Sequence, residues 1–135
     1  MKRRTKETNL ELLPFRVGVN EYAIDVLQVR EIRPSAQITP IAADHPRIRG
    51  AIDVRGVLVP VIDLRERDET QPPLGEALVI IVAVARRLVG IVVDAVCDIV
   101  ELVPWQIQFF TVPDIGDLIA ARMAHVHSTS TGGSA

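Results

Sequence analysis

Ile48-Arg49-Gly50-Ala51-Ile52-Asp53-Val54-Arg55-Gly56-Val57-Leu58-Val59-Pro60-Val61-Ile62-Asp63-Leu64 is the stretch that decides the fold. Two apolar runs, 51–54 and 57–64, flank Arg55-Gly56. Such a pair is a two-residue hairpin signal, because the tight turns that match strand twist need a positive φ, which glycine adopts freely. The second run is apolar at consecutive positions, so both faces of that strand should be covered. Pro60 cannot donate to a ladder, so the strand bends, bulges or lies at an edge there. The run reads as a strand passing between two packed β units.

The same pattern extends in both directions. Phe15 to Val19 alternates, Asn20-Glu21 makes a tight turn, and Tyr22 to Asp25 returns. Gln28–Arg33 is a third strand. Residues 34–50 hold Pro34, Pro40, Pro46 and Gly50 and read as an irregular connection with one helical turn near His45–Ile48. Glu66–Glu76 reads as a mobile loop. Ala77–Ala85 and Leu88–Asp94 form a second doubly buried hairpin around Arg86-Arg87, and Cys97–Leu102 continues as a strand. Pro104–Asp117 reads as irregular, and Asp117–His127 suits helix or strand. The chain carries 19 Val and 14 Ile against five aromatic residues, and nine Pro and eight Gly break the apolar runs at short intervals. β-branched side chains favour strands, so the expectation is an all-β sandwich or small barrels.

Composition narrows the function classes. The 135 residues suffice for one domain with a core of its own. At 48% hydrophobic and 24% charged the chain is of ordinary globular type. A net charge of −2 argues against nucleic acid as a partner. The apolar run 77–85 is far shorter than the ~20 residues of a membrane helix. One cysteine, Cys97, excludes an intramolecular disulfide and suits a reducing cytoplasm; it reads as a small buried apolar residue.

Signatures of catalysis are scarce. There is no phosphate-cradling glycine loop, no G-x-S-x-G elbow and no H-E-x-x-H. Asp53, Asp63 and Asp94 sit at strand ends, where they read as water-facing turn caps. His125 and His127 would share one strand face with His45 as a third ligand, but they border a polar tail and do not make a metal site. No cofactor and no metal are expected. Two groupings remain: the charged strand Arg30-Glu31-Ile32-Arg33, and Arg55 on its hairpin tip, where a guanidinium can anchor a partner's carboxylate or carbonyls.

Four segments together resemble one family. Phe15 to Val26 resembles the opening hairpin of CheW-type chemotaxis adaptors, and Val29-Arg30-Glu31-Ile32 their next strand. The stretch Ile48–Leu64 is the most specific match, and Val89-Gly90-Ile91-Val92-Val93-Asp94-Ala95-Val96 resembles their later G-x-x-V-D-x-V strand. The resemblance covers residues 14–127, leaving 1–13 as a flexible N-terminus and 128–135 as a disordered tail. It implies an all-β fold of two small SH3-like five-stranded barrels packed together. It further implies a non-enzymatic cytoplasmic scaffold that couples chemoreceptor cytoplasmic tips to the regulatory domain of a CheA-type histidine kinase and meets the membrane only through receptors. An adaptor of a chemosensory cluster governing surface motility or biofilm is the alternative, as is a truncated homologue deficient in coupling.

Residue by residue, the resemblance assigns Glu31 and Arg55 to the receptor face, with Val29, Val93 and Val96 as apolar groove residues. It assigns Pro40, Ile41, Gly50 and Ile52 to the kinase-facing edge, with Gly50 letting a partner backbone approach. One departure stands out. After Val126 the chain runs into Ser, Thr and Gly, so the final strand of one barrel is expected to be missing. That leaves the first barrel open or weakly covered, with low stability and self-association through the open edge.

Overall fold

The computed structural model describes residues 9–65, 77–107 and 114–134, with side chains to Ala124 in the last segment. The fold is all-β in character, with nine strands, two α-helices and two short 3-10 turns among those residues. β1 (Leu10–Val17), β2 (Asn20–Asp25), β8 (Ala95–Val96) and β9 (Val100–Leu102) form one sheet, in which β1 pairs β2 along one edge and β8 and β9 along the other. β3 (Val29–Pro34), β4 (Ile48–Val54), β5 (Val57–Asp63), β6 (Leu78–Val84) and β7 (Arg87–Val93) form the second, in the order β3-β6-β7-β5-β4. β1 starts at Leu10, inside the segment expected to be a flexible N-terminus, because Leu10, Glu11 and Leu12 pair with Leu102, Glu101 and Val100. The strand expected over Cys97–Leu102 is interrupted at 97–99.

The second sheet curls on itself. A bridge between Thr39 and Ala51 brings the chain after β3 onto β4, one bridge short of a ladder between the two edges. Gly50 permits this. A Cβ there would lie 2.2 Å from Thr39 O and 2.8 Å from Ile38 Cγ2, at a backbone φ of +152° that favours glycine. The backbone that closes on Gly50 is thus the chain's own segment 38–39, where the sequence suggested a partner's.

The expected pair of β units is realised as two cores sharing one hairpin. Ile80 and Val82 of β6 with Ile91 and Val93 of β7 join Leu13, Phe15, Val17, Ile24, Leu64 and Ile115 in a first cluster. Val79 and Ile81 of β6 with Val92 of β7 join Ile52, Val54, Val59, Val61 and Ala77 in a second. Alternate residues of one strand therefore serve opposite cores, which is why the run 77–85 lacks polar alternation. Each such side chain, fully buried, contributes about 1.5–3 kcal/mol.

β5 departs from expectation at its start. Val57 and Leu58 are exposed, at 56% and 69%. The β5–β7 ladder covers Val61–Asp63, so the strand before Pro60 pairs with β4 alone, in a hairpin that projects beyond the sheet. Pro60 sits immediately before that ladder, where its missing donor breaks no β7 pairing. The Arg55-Gly56 turn forms as read, with φ of 53° and 89°. The first hairpin turns at Gly18-Val19, before the expected Asn20-Glu21, because Gly18 takes φ 63° and its N–H reaches Asp94 Oδ2 at 2.6 Å. The β6–β7 turn is Ala85-Arg86, one residue before the expected Arg86-Arg87.

α1 (Pro104–Ile107) follows β9, and α2 (Ile115–Ser134) occupies the segment that suited either helix or strand. α2 bears on two expectations. Its backbone stays helical to Ser134, through residues expected to be a disordered tail. Its first turns pack Ile115, Leu118 and Ile119 on the first cluster, the core expected to lie open. Spacings of three and four put these side chains on one helix face. The loop expected at Glu66–Glu76 and part of the irregular segment, 108–113, lie outside the described residues.

Candidate functional site

β3 alternates half-buried and exposed residues, with Val29, Glu31 and Arg33 on the more buried side. Glu31 and Arg33 pair with Ile81 and Val79, two residues of the second core, so they stand at the rim of the curled sheet. The β4–β5 hairpin projects towards this rim, and Arg55 at its tip meets Glu31: Arg55 Nη1 lies 3.0 Å from Glu31 Oε2. Glu31 Oε1 is held by Arg33 at 2.6 Å, and Arg33 Nη1 donates to Gln37 Oε1 at 2.8 Å. The two polar residues singled out in sequence, 24 positions apart, are one ion pair. Its members differ in exposure, with side chains 83% exposed for Arg55 and 20% for Glu31. The carboxylate is anchored, while most of the guanidinium faces solvent. Exposed Val57 and Leu58 follow on the same hairpin, and exposed Ile32 lies on the outer side of β3.

The apolar candidates divide. Val29 and Val96 are half-buried against the first cluster and keep some surface. Val93 is fully buried in that cluster and Ile52 in the second, so neither offers surface to a partner. Gly50 is buried too. An apolar residue in a strand carries the same sequence signal whether it lines a groove or fills a core. Pro40 and Ile41 are exposed, beside an open groove of 640 Å³ that Ile38, Pro40, Pro46, Ile48 and Arg49 help to line.

The strand-end aspartates depart in part from the expected water-facing turn caps. Asp53 does cap its turn, accepting from Gly56 N at 2.7 Å. Asp63, however, is fully buried and chelated by Arg65, whose Nε and Nη2 donate to its two oxygens at 3.0 and 3.2 Å. Arg47, also buried, donates to Asp63 O at 3.0 Å and to Arg65 O. Arg65 reaches Asp94 at 3.6 Å, and Asp94 holds Gly18 N of the first sheet. Burial disfavours the Arg65 charge, but the hydrogen bonds and charges of Asp63 and Asp94 outweigh it and raise its pKa above the ordinary guanidinium value. This network ties the two sheets together. Its sequence signal was faint: Arg47 lies in the turn before β4 and Arg65 just after β5, positions where an arginine is ordinarily solvated.

His45 is committed at both ring nitrogens: Nδ1 accepts from Arg47 N at 3.1 Å and Nε2 faces Met123 O of α2 at 3.0 Å, which requires the Nε2–H tautomer. His125 and His127 have side chains outside the described residues. Among the described residues no group of three His, Cys, Asp or Glu could hold a metal ion. Cys97 is half-buried and not fully buried as expected.

Two β units sharing a hairpin, with a charged clasp and exposed aliphatic side chains at their surface, define the class of fold. The chain matches the model of the CheW-like domain over residues 11–117 and belongs to that family. It is 43% identical over 100 residues to the chemotaxis protein CheW of Klebsiella aerogenes, covering 73% of this chain and 60% of that protein. It is 36% identical over 107 residues to the chemotaxis protein CheW of Rhizobium meliloti, covering 78% and 68%. The scaffolding protein TtCheW from Thermoanaerobacter tengcongensis superposes with a TM-score of 0.61 at 26% identity, covering 70% of this chain and 66% of that one. The matched region thus spans 60–68% of the length of these curated relatives. No described helix is long and apolar enough to cross a membrane.

Proposed function

We propose that this chain is a non-enzymatic adaptor that couples chemoreceptor cytoplasmic tips to the regulatory domain of a CheA-type histidine kinase. The observation that carries the reading is the Glu31–Arg55 clasp. It joins two elements remote in sequence, is anchored at one end and exposed at the other, and stands beside Val57 and Leu58. A receptor tip is a helical hairpin, and such a surface suits helix docking: aliphatic side chains supply affinity and the charges fix register. Val29 and Val96 contribute apolar surface, while Val93 supports it from within. The kinase meets the edge at Pro40 and Ile41, which Gly50 and Ile52 hold in place from beneath. The working compartment is the cytoplasm.

The test is co-sedimentation of this chain with a receptor cytoplasmic fragment and a kinase regulatory domain. A complex containing all three is expected. Failure of this chain to join either partner, with its fold intact by circular dichroism, contradicts the proposal.

A further inference from the structure

The connection between β3 and β4 stands on two feet. At one end Thr39 and Ala51 exchange backbone hydrogen bonds at 2.8 and 2.9 Å. At the other, His45 Nδ1 accepts from Arg47 N at 3.1 Å, and the His45 backbone oxygen accepts from Ile48 N at 3.0 Å. Between the feet, residues 40–44 form an arch and are all exposed. The second foot is tied to α2, because His45 Nε2–H donates to Met123 O at 3.0 Å. Arg122, the residue before, donates from Nη2 to the Tyr22 hydroxyl of β2 at 3.1 Å. Consecutive residues of α2 thus hold the first sheet and the connection of the second. Ile115 pins the first turn of α2 in the first core, but Leu118 and Ile119 are only half-buried on it. No described side chain of α2 after Ile115 is fully buried. A helix held by so few buried apolar contacts opens locally, at a lower free energy than the sheets unfold.

We propose that α2 is a strap that sets the conformation of the β3–β4 connection. When residues 118–124 lie on the first core, Met123 fixes His45 and with it the arch at 40–44; when they lift, the arch is free at one foot. The device has two states, because His45 gives its Nε2–H either to the Met123 carbonyl or to water. The bonds between Thr39 and Ala51 hold in both. A partner that selects the ordered arch is linked to the docking of α2, each favouring the other by the same factor. The coupling does not depend on which partner the arch meets.

The experiment is amide exchange of the 135-residue chain, read by NMR at Arg47 and Ile48. Leu118→Asp lifts the helix by setting a charge against the first core. It is expected to raise exchange at both amides about tenfold while the amides of β6 and β7 stay protected. His45→Asn keeps an acceptor where Nδ1 stood but falls short of Met123 O. It is expected to raise exchange at the same amides about fivefold and to leave α2 in place. Unchanged exchange at Arg47 and Ile48 in either variant overturns the inference. So does a Leu118→Asp chain in which β6 and β7 lose protection to the same extent, since α2 is then one with the cooperative core. If Leu118→Asp does not fold, the unmodified chain in rising urea decides. The amides of 118–124 should open with those of Arg47 and Ile48 and before those of β6 and β7; opening only together with the sheets overturns the inference.

Discussion

Glu31 holds two guanidiniums at once, Arg33 from its own strand and Arg55 from across the rim. A pair with one largely solvated partner contributes about 0–1 kcal/mol to folding, so the pair adds little to stability. Arg55→Glu is therefore expected to leave the melting midpoint within about 0.5 kcal/mol of wild type while lowering receptor-fragment affinity tenfold or more. Asp63 is the opposite case. It is buried, with its carboxylate chelated by Arg65 and its backbone carbonyl accepting from Arg47, and Asp63→Ala keeps the Arg47 bond but takes from buried Arg65 the acid that chelates it. Removing one member of a buried pair costs roughly 3–5 kcal/mol, to be read as a lowered urea midpoint. The raised pKa of Arg65 has a definite sign: its stabilisation is complete below the ordinary guanidinium value and is lost only above it, so melting scans at neutral and mildly alkaline pH should show no loss assignable to Arg65. Sequence showed Glu31 and Arg55 as chemistry-bearing but did not show that they touch. Charge pairing across 24 positions depends on how far the second sheet curls, and no local pattern encodes that.

At the scale of elements, turns and doubly buried strands were the legible features. Arg55-Gly56 was read from its residue types, and the β6–β7 hairpin from an unbroken apolar run. Turn positions slipped by one or more residues where a side chain elsewhere chose the register, as Asp94 does for Gly18. The most informative glycine is Gly50. Its need for close approach was visible, but the approaching backbone is intramolecular. Gly50→Ala should push Thr39 away from β4, at a cost of about 1–3 kcal/mol, and displace Pro40 and Ile41 with it. Weakened kinase binding together with a lower urea midpoint is the expected pair of results. α2 was not legible, because the apolar positions of Asp117 to His127, at 118–121, 123–124 and 126, single out neither period. Its contribution lies in Ile115, which is fully buried in the first cluster. Ile115→Ala is expected to cost about 2–5 kcal/mol in chemical denaturation, as a cavity in that core.

The whole molecule is two cores divided by a common hairpin and laced by a buried ion network from Arg47 through Arg65 to Gly18. The two candidate surfaces, the Glu31–Arg55 clasp and the edge at Pro40 and Ile41, are separate in their contacts, though both belong to the second sheet and its connections. An adaptor needs that separation, since each partner must bind without displacing the other. The measurement that tests this most directly is a paired binding assay, in which Arg55→Glu and Ile41→Asp are each titrated against a receptor cytoplasmic fragment and a kinase regulatory domain. Arg55→Glu should lose the receptor and keep the kinase, and Ile41→Asp should do the reverse. Folded variants that lose both partners together, or neither, would contradict the account.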